Sequence, residues 1–143
     1  MNFFSAMEVI ASGLGAERVR MNLTASNLAN ANTTRTAEGG PYKRRDPVFT
    51  TAQLDPHGGF DGPLDDAVKL VEVSDVVADP DPPRREYDPT HPDADGQGYV
   101  AKPNINLVEE MVNMITASRA YESGVTAMRS VVEMARKSMT LGQ

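Results

Sequence analysis

The sequence predicts a mainly α protein, with a long helix at each end and an irregular insertion carrying a small β-hairpin between them. Three observations carry this. All ten prolines fall between Pro41 and Pro103, so both terminal stretches lack the residue that most strongly breaks a helix. Near the C-terminus, Leu107, Met111, Met114, Ser118, Tyr121, Val125, Met128, Val132, Ala135 and Met139 recur at alternating spacings of four and three, with only Ser118 polar. That period is a coiled-coil seam rather than the stripe of a short globular helix. The stretch between the ends is Gly-rich, acidic and broken. The chain therefore divides into a first helix over 1–32, a Pro/Gly-rich acidic insertion over 33–103, and a second helix over 104–143.

The first helix is expected from about Asn2 or Ser5 to about Asn30. One heptad row reads Met7, Leu14, Met21, Leu28; the other reads Phe3, Ile10, Glu17, Thr24, Ala31, apolar in its first half and mixed in its second. Gly13 and Gly15 each cost a helix about 1 kcal/mol against Ala. They are either tolerated weakness or points where a neighbouring helix approaches closely. Asn27, Asn30 and Asn32 crowd the end, where Asn suits a left-handed cap.

In the insertion, Gly39-Gly40-Pro41 reads as a turn and Pro47–Leu54 as a short strand. Residues 55–63 (DPHGGFDGP) are a turn cluster, and Ala67–Ala78 is a second, β-branched strand able to pair with the first. Asp79–Gly98 holds five prolines and is expected to be extended or polyproline-like. The second helix starts after Pro103, with Asn104 or Asn106 available as cap and Glu109-Glu110 in the turns where the helix dipole favours anions. Outside the main seam, Val108, Val112 and Ile115 form a second apolar stripe, and Ala117, Gly124 and Val131 a third. A helix apolar on several sides touches more than one partner.

Bulk properties agree. Hydrophobic residues make up 40% of the 143, Trp is absent and mean hydropathy is −0.40, so a large self-contained core is not expected. A helix over Leu107–Leu141 spans roughly 50 Å at 1.5 Å per residue, longer than a small domain is wide. Charge is segregated: residues 37–103 carry seven basic and fourteen acidic side chains, whereas 104–143 balance four against four. Nearly neutral helices suit packing, and an acidic middle opposes nucleic-acid binding. Cysteine is absent, which removes disulfides and thiolate metal sites. No basic segment precedes the first apolar run, so a cleaved secretory leader is not expected. The longest uncharged run, Met21–Thr34, holds four Asn and three Thr, so no membrane insertion is expected either.

Catalytic chemistry finds little support. His57 and His91 both fall in expected loops, and no nucleophile-elbow or phosphate-binding pattern occurs. Asp93-Ala94-Asp95-Gly96 has part of a calcium-loop pattern, but its first ligand would be His91 and Lys102 stands where the bidentate Glu belongs. Turn chemistry is the plainer account. The sequence thus points to a non-enzymatic assembly protein without catalytic residues, metal or cofactor. A cytosolic coiled-coil scaffold or adaptor is the alternative from the heptads alone. A membrane-surface helix using Phe3, Phe4 and Met7 would need a basic polar face, and Glu8 stands there instead.

Three stretches narrow this. Asn27–Thr33 (NLANANT) closes the first helix, and Arg35–Phe49 (RTAEGGPYKRRDPVF) follows. Tyr87–Asp95 (YDPTHPDAD) leads through Gly98-Tyr99-Val100 to Val108–Tyr121 (VEEMVNMITASRAY). Together they resemble the bacterial flagellar basal-body rod proteins. The first element is common to the rod and hook superfamily; GGPYKRRDPVF and YDPTHPDAD are particular to its proximal-rod branch. Ser123-Gly124 departs from the Ala-Asn more usual there. The resemblance implies terminal helices in an antiparallel coiled coil that is completed between neighbouring subunits, folding coupled to assembly, and export through the flagellar type III apparatus. It further implies a place in the basal-body rod spanning the periplasm. The partners would be copies of this chain, other proximal and distal rod subunits, and the rod-base adaptor at the export gate. Subunit contacts are then expected at Met7, Ile10, Leu14, Met21 and Leu28 of the first helix and at Leu107, Met111, Met114, Tyr121, Val125, Met128 and Val132 of the second. Asn27 and Asn30 would make polar contacts at the helix end.

Overall fold

The computed structural model describes residues 3–53 and 68–141. Two helices dominate it: α1 over Phe3–Ala29 and α2 over Leu107–Leu141. Between them lie β1 (Arg45–Gln53), β2 (Lys69–Ala78), β3 (Arg84–Tyr87) and β4 (Tyr99–Lys102). The expected turn cluster over 55–63, with His57, lies outside the described residues.

Helix α2 begins as its capping residue dictates. The Asn106 side-chain oxygen accepts hydrogen bonds from the backbone N–H of Val108 (3.1 Å) and Glu109 (3.5 Å), and its carbonyl accepts the first helical bond from Glu110. The end of α1 departs from expectation. Among the described residues none other than glycine adopts positive φ, so no asparagine there forms a left-handed cap. Instead the Asn30 amide donates to the Ser26 carbonyl at 2.9 Å, while tightened bonds from Ala31 to Leu28 and Thr33 to Asn30 close the last turn. The left-handed residues are Gly39, Gly40 and Gly98, of which the first two fold the chain back between Thr36 and Tyr42.

The helices run antiparallel. Asn27 near the end of α1 meets Glu110 near the start of α2, and Leu14 meets Gly124 in the middle. A Cβ at Gly124 would lie 2.8 Å from Leu14 Cδ2, so the missing side chain is what lets the leucine seat there. The face of α2 turned inward follows the seven-residue row Glu110, Ala117, Gly124. It is rotated toward the third of the expected apolar stripes, away from Met111 and Leu107. Of the helical glycines, Gly124 is therefore the one approached by the other helix, while Gly13 and Gly15 have no neighbour within 4 Å of a built Cβ.

The strands form two separate antiparallel pairs. In the β1–β2 hairpin the register shifts between Val48 and Phe49, where Ser74 is the extra residue of a bulge and its hydroxyl donates to the Val48 carbonyl. Pro47 is accommodated because a two-stranded ladder has only edges. The hairpin rests against α1, where the Val71 N–H donates to the Ser12 hydroxyl oxygen at 3.2 Å. The β3–β4 pair corrects the expectation of an unpaired polyproline-like 79–98 segment. Asp95 organises it: its carboxylate accepts from the backbone N–H of Gln97 and Tyr99 and pairs with Arg85. Tyr87 packs edge-on against Tyr99 beside Gly98, where a Cβ would sit 2.9 Å from the Tyr87 ring.

The core is small, built from Ala16, Ala31, Val100, Pro103, Ile105 and Ala117. Apart from these and the buried polar residues, the described parts of both helices are partly or fully exposed.

Candidate functional site

Two features stand out: a buried polar knot at one end of the helix pair, and unpartnered apolar surface along it. The knot begins with Asn27 and Glu110, each only 1% exposed, which polar side chains tolerate only when fully bonded. Asn27 Nδ2 donates to Glu110 Oε2 at 3.1 Å and to the Arg45 carbonyl at 2.9 Å. Its Oδ1 accepts from the Arg45 backbone N–H at 3.0 Å and from the Tyr42 hydroxyl at 3.1 Å. Both N–H donors and both oxygen lone pairs of the amide are thereby used. Arg44 Nε donates to Glu110 Oε1 at 2.7 Å, and the guanidinium also pairs with Asp46.

Burial opposes the charge on Arg44, yet its hydrogen bond to Glu110 and the nearby carboxylates of Asp46 and Glu109 outweigh that and hold its pKa above the ordinary value. The pair is ionic and hydrogen-bonded on both sides, as a buried pair must be. The knot joins the end of α1, the 42–45 segment and the start of α2. Every group in it is engaged by another, so it offers structure rather than a reactive atom. Sequence reading missed it because its members are far apart, Asn27 from Glu110 by 83 residues. The one available signal was a glutamate on the row of Ala117 and Gly124.

The loop residues weighed as a calcium site serve the fold. Asp93 accepts from the Thr34 hydroxyl at 2.8 Å and faces Arg35, tying the 34–35 and 91–95 loops together. His91 Nδ1 accepts the Asp93 N–H. Among the described residues no group of three His, Asp or Glu side chains is placed to hold a metal ion. Among them, too, no helix is long and apolar enough to cross a membrane.

The expected contact residues fall into three groups. Met7, Ile10, Leu14, Met21 and Leu28 are partly buried, as are Met114, Tyr121, Val125, Met128 and Val132. Leu107 (46%) and Met111 (52%) are exposed. Asn27 belongs to the knot, and Asn30, partly buried, closes α1 and accepts from the Thr33 hydroxyl. The exposed pair continues into Val108 (69%), Val112 (56%) and Ile115 (53%), an apolar strip on the side of α2 away from Glu110 and Ala117. On the flank between the helices and the β1–β2 hairpin, a cavity of about 340 Å³ opens, walled by Ile10, Gly13, Glu17, Phe49, Val71 and Gly124.

Comparison with known proteins matches both helical ends. Residues 7–35 fit the family described as flagella basal body rod protein, and residues 97–141 fit the C-terminal family of flagellar basal body rod FlgEFG proteins. The chain is 40% identical over 153 residues to the flagellar basal-body rod protein FlgC of Borreliella burgdorferi, covering 100% of this chain and 99% of that one. It is 37% identical to the FlgC proteins of Escherichia coli, over 143 residues, and Bacillus subtilis, over 155, with 100% of each chain covered. Asn27 and Glu110 lie one in each matched stretch.

Proposed function

The chain belongs to the FlgC family of flagellar basal-body rod proteins, and on that premise we propose that its two helices build the rod by forming a coiled coil completed by neighbouring subunits. It is a structural, non-enzymatic subunit of the flagellar basal body. The observation that carries the assembly reading is the strip Leu107, Val108, Met111, Val112 and Ile115, exposed beside a core made largely of small residues. A contiguous exposed apolar strip of this kind marks a surface that a partner covers. Met7, Ile10, Leu14, Met21 and Leu28, with Met114, Tyr121, Val125, Met128 and Val132, supply the remaining seam. Asn27 and Asn30 act by fixing the helix end from which the seam starts. Residues 1–32 and 104–143 form the rod core in this reading, and 33–103 the acidic insertion on its surface.

The partners are copies of the chain and other rod subunits, including the rod-base adaptor. Delivery is through the flagellar type III apparatus. A helix with its side chains is about 10–12 Å across, so a narrow passage admits the chain only unfolded or nearly so. The absence of cysteine and the small core suit such a route.

Val112→Asp tests the strip, since Val112 is 56% exposed and the substitution leaves the subunit's own packing intact. Val125→Asp tests the seam. In a strain lacking the native gene, both are expected to abolish motility and basal-body rods in electron micrographs, while the Val112→Asp chain keeps the parent's circular dichroism. Normal rods and swimming in both variants would refute the assembly reading and favour a cytosolic scaffold.

A further inference from the structure

The strip and the cavity fit one another. Along α2, Val108, Val112, Ile115 and Arg119 succeed one another at spacings of four, three and four, so Arg119 ends the apolar strip on the same face. Along α1, Ile10 and Glu17 both wall the cavity, one heptad apart. Val112 and Arg119 are also one heptad apart, so both pairs span about 10.5 Å at 1.5 Å per residue. Charge matches as well. Glu17 Oε2 is buried and has no hydrogen-bond partner, while Oε1 lies 4.0 Å from Arg20. Among the described residues Arg119 is exposed and pairs with no carboxylate. An orphaned carboxylate oxygen in a recess needs a donor, and an exposed guanidinium at the end of an apolar row carries one.

We propose that α2 of a second copy of this chain docks in the cavity between α1, α2 and the β1–β2 hairpin, with its Val112 beside Ile10 and its Arg119 bonded to Glu17. The docked helix runs parallel to α1. Within its own chain Val108 and Val112 lie across α2 from the inward row Glu110 and Ala117, so this part of the strip faces outward and is free to meet another copy. Gly13, whose built Cβ meets nothing within 4 Å, leaves room for the incoming side chains. One chain bears both halves of the contact, so the contact is heterologous and each bound copy leaves a strip and a cavity free for the next. This rests on the assembly reading above and deepens it by naming the surfaces and the residue pair through which two copies meet.

Two differently tagged chains, one with Glu17→Cys and the other with Arg119→Cys, are expressed together in a rod-forming strain and treated with a short bismaleimide. Because the native chain has no cysteine, every cross-link between the two tagged chains reports these positions. The expected product is a dimer joining the two tags. Glu17→Arg and Arg119→Glu should each reduce rod numbers roughly ten-fold or more, since like charges then face one another in a desolvated contact. The double variant should restore them. Normal rods in both single variants overturn the proposal, as does failure of the double variant to rescue. A cross-link only between like positions, or only to a different rod protein, overturns it equally. None of these results touches the wider assembly reading if Val112→Asp still abolishes rods.

Discussion

Three glycines interrupt the two helices, and they should respond in opposite ways to alanine. Each carries the same intrinsic penalty, about 1 kcal/mol against Ala. At Gly13 and Gly15 a new Cβ meets no atom within 4 Å, so alanine recovers that penalty in full. At Gly124 the Cβ would fall 2.8 Å from Leu14 Cδ2 and 3.2 Å from Cγ, inside the roughly 3.5–4.0 Å of ordinary carbon contact. Leu14 must rotate or the helices must part, and overpacking of this kind costs about 1–3 kcal/mol. The helix gain offsets the lower part of that range, so Gly124→Ala comes out between neutral and about 2 kcal/mol destabilising. Urea titration followed by the helical circular dichroism signal separates the two cases. With a slope near 2 kcal/mol/M, Gly15→Ala raises the midpoint by about 0.5 M, while Gly124→Ala leaves it unchanged or lowers it by up to about 1 M. If Gly124→Ala stabilised as much as Gly15→Ala, the helices would not touch at Leu14, and the antiparallel register would be wrong. Gly13→Ala adds a second comparison: it should stabilise the isolated chain yet impair assembly, because its methyl enters the cavity.

Two further predictions concern the polar groups. Asn27→Ala strands the buried Glu110 Oε2, leaves both backbone groups of Arg45 without their Asn27 partner and takes one of two partners from the Tyr42 hydroxyl, and should cost about 2–4 kcal/mol by the same titration; a shift under 0.5 kcal/mol, about a tenth of ordinary domain stability, would show the knot to be incidental. The β3–β4 pair should loosen in acid. Asp95, through the N–H groups of Tyr99 and Gln97, Asp88, through Thr90, and Glu86, through Lys102, are all held below their ordinary values of 3.8, 3.8 and 4.5. Their folded pKa values are depressed, so the stabilisation is complete above those ordinary values and is lost as pH falls through the lower folded ones. Hydrogen exchange at Gly98 and Tyr99 should therefore lose protection below about pH 4 and hold steady from pH 5 to 7; unchanged protection at pH 2 would count against these carboxylates as organisers of the turn.

The helices were legible because their signals are local. The proline-free ends, the 4-3 spacing and Asn106 ahead of Leu107 marked α2 to its observed limits. The β1–β2 hairpin was legible for the same reason, from β-branched alternation. The β3–β4 pair was not: five prolines crowd 79–98, and the strands are four residues long, with β3 wholly exposed. Their pairing depends on the Asp95 turn rather than on an apolar face. The phase of the seam was also hidden. Met111 and Leu107 are larger and more apolar than Ala117 and Gly124, so hydrophobicity alone did not single out the row packed within the subunit; at Gly124 that choice was made by size, since only a small residue admits Leu14. The knot lay beyond periodicity altogether, because a single asparagine, arginine and glutamate have no pattern until the chain ends meet.

That meeting also fixes an order of events. The α2 partners of α1 are encoded more than eighty residues downstream, and closing so long a loop costs roughly 4 kcal/mol of chain entropy. Both β pairs join nearby residues and are free to form first, shortening the gap. A chain delivered N-terminus first, whether from a ribosome or a narrow passage, sets α1 free while its mate is still inside. Alone, a helix of 27 residues with two internal glycines is marginal in water. The protein thus carries its own delay: its first segment stays uncommitted until its last has arrived.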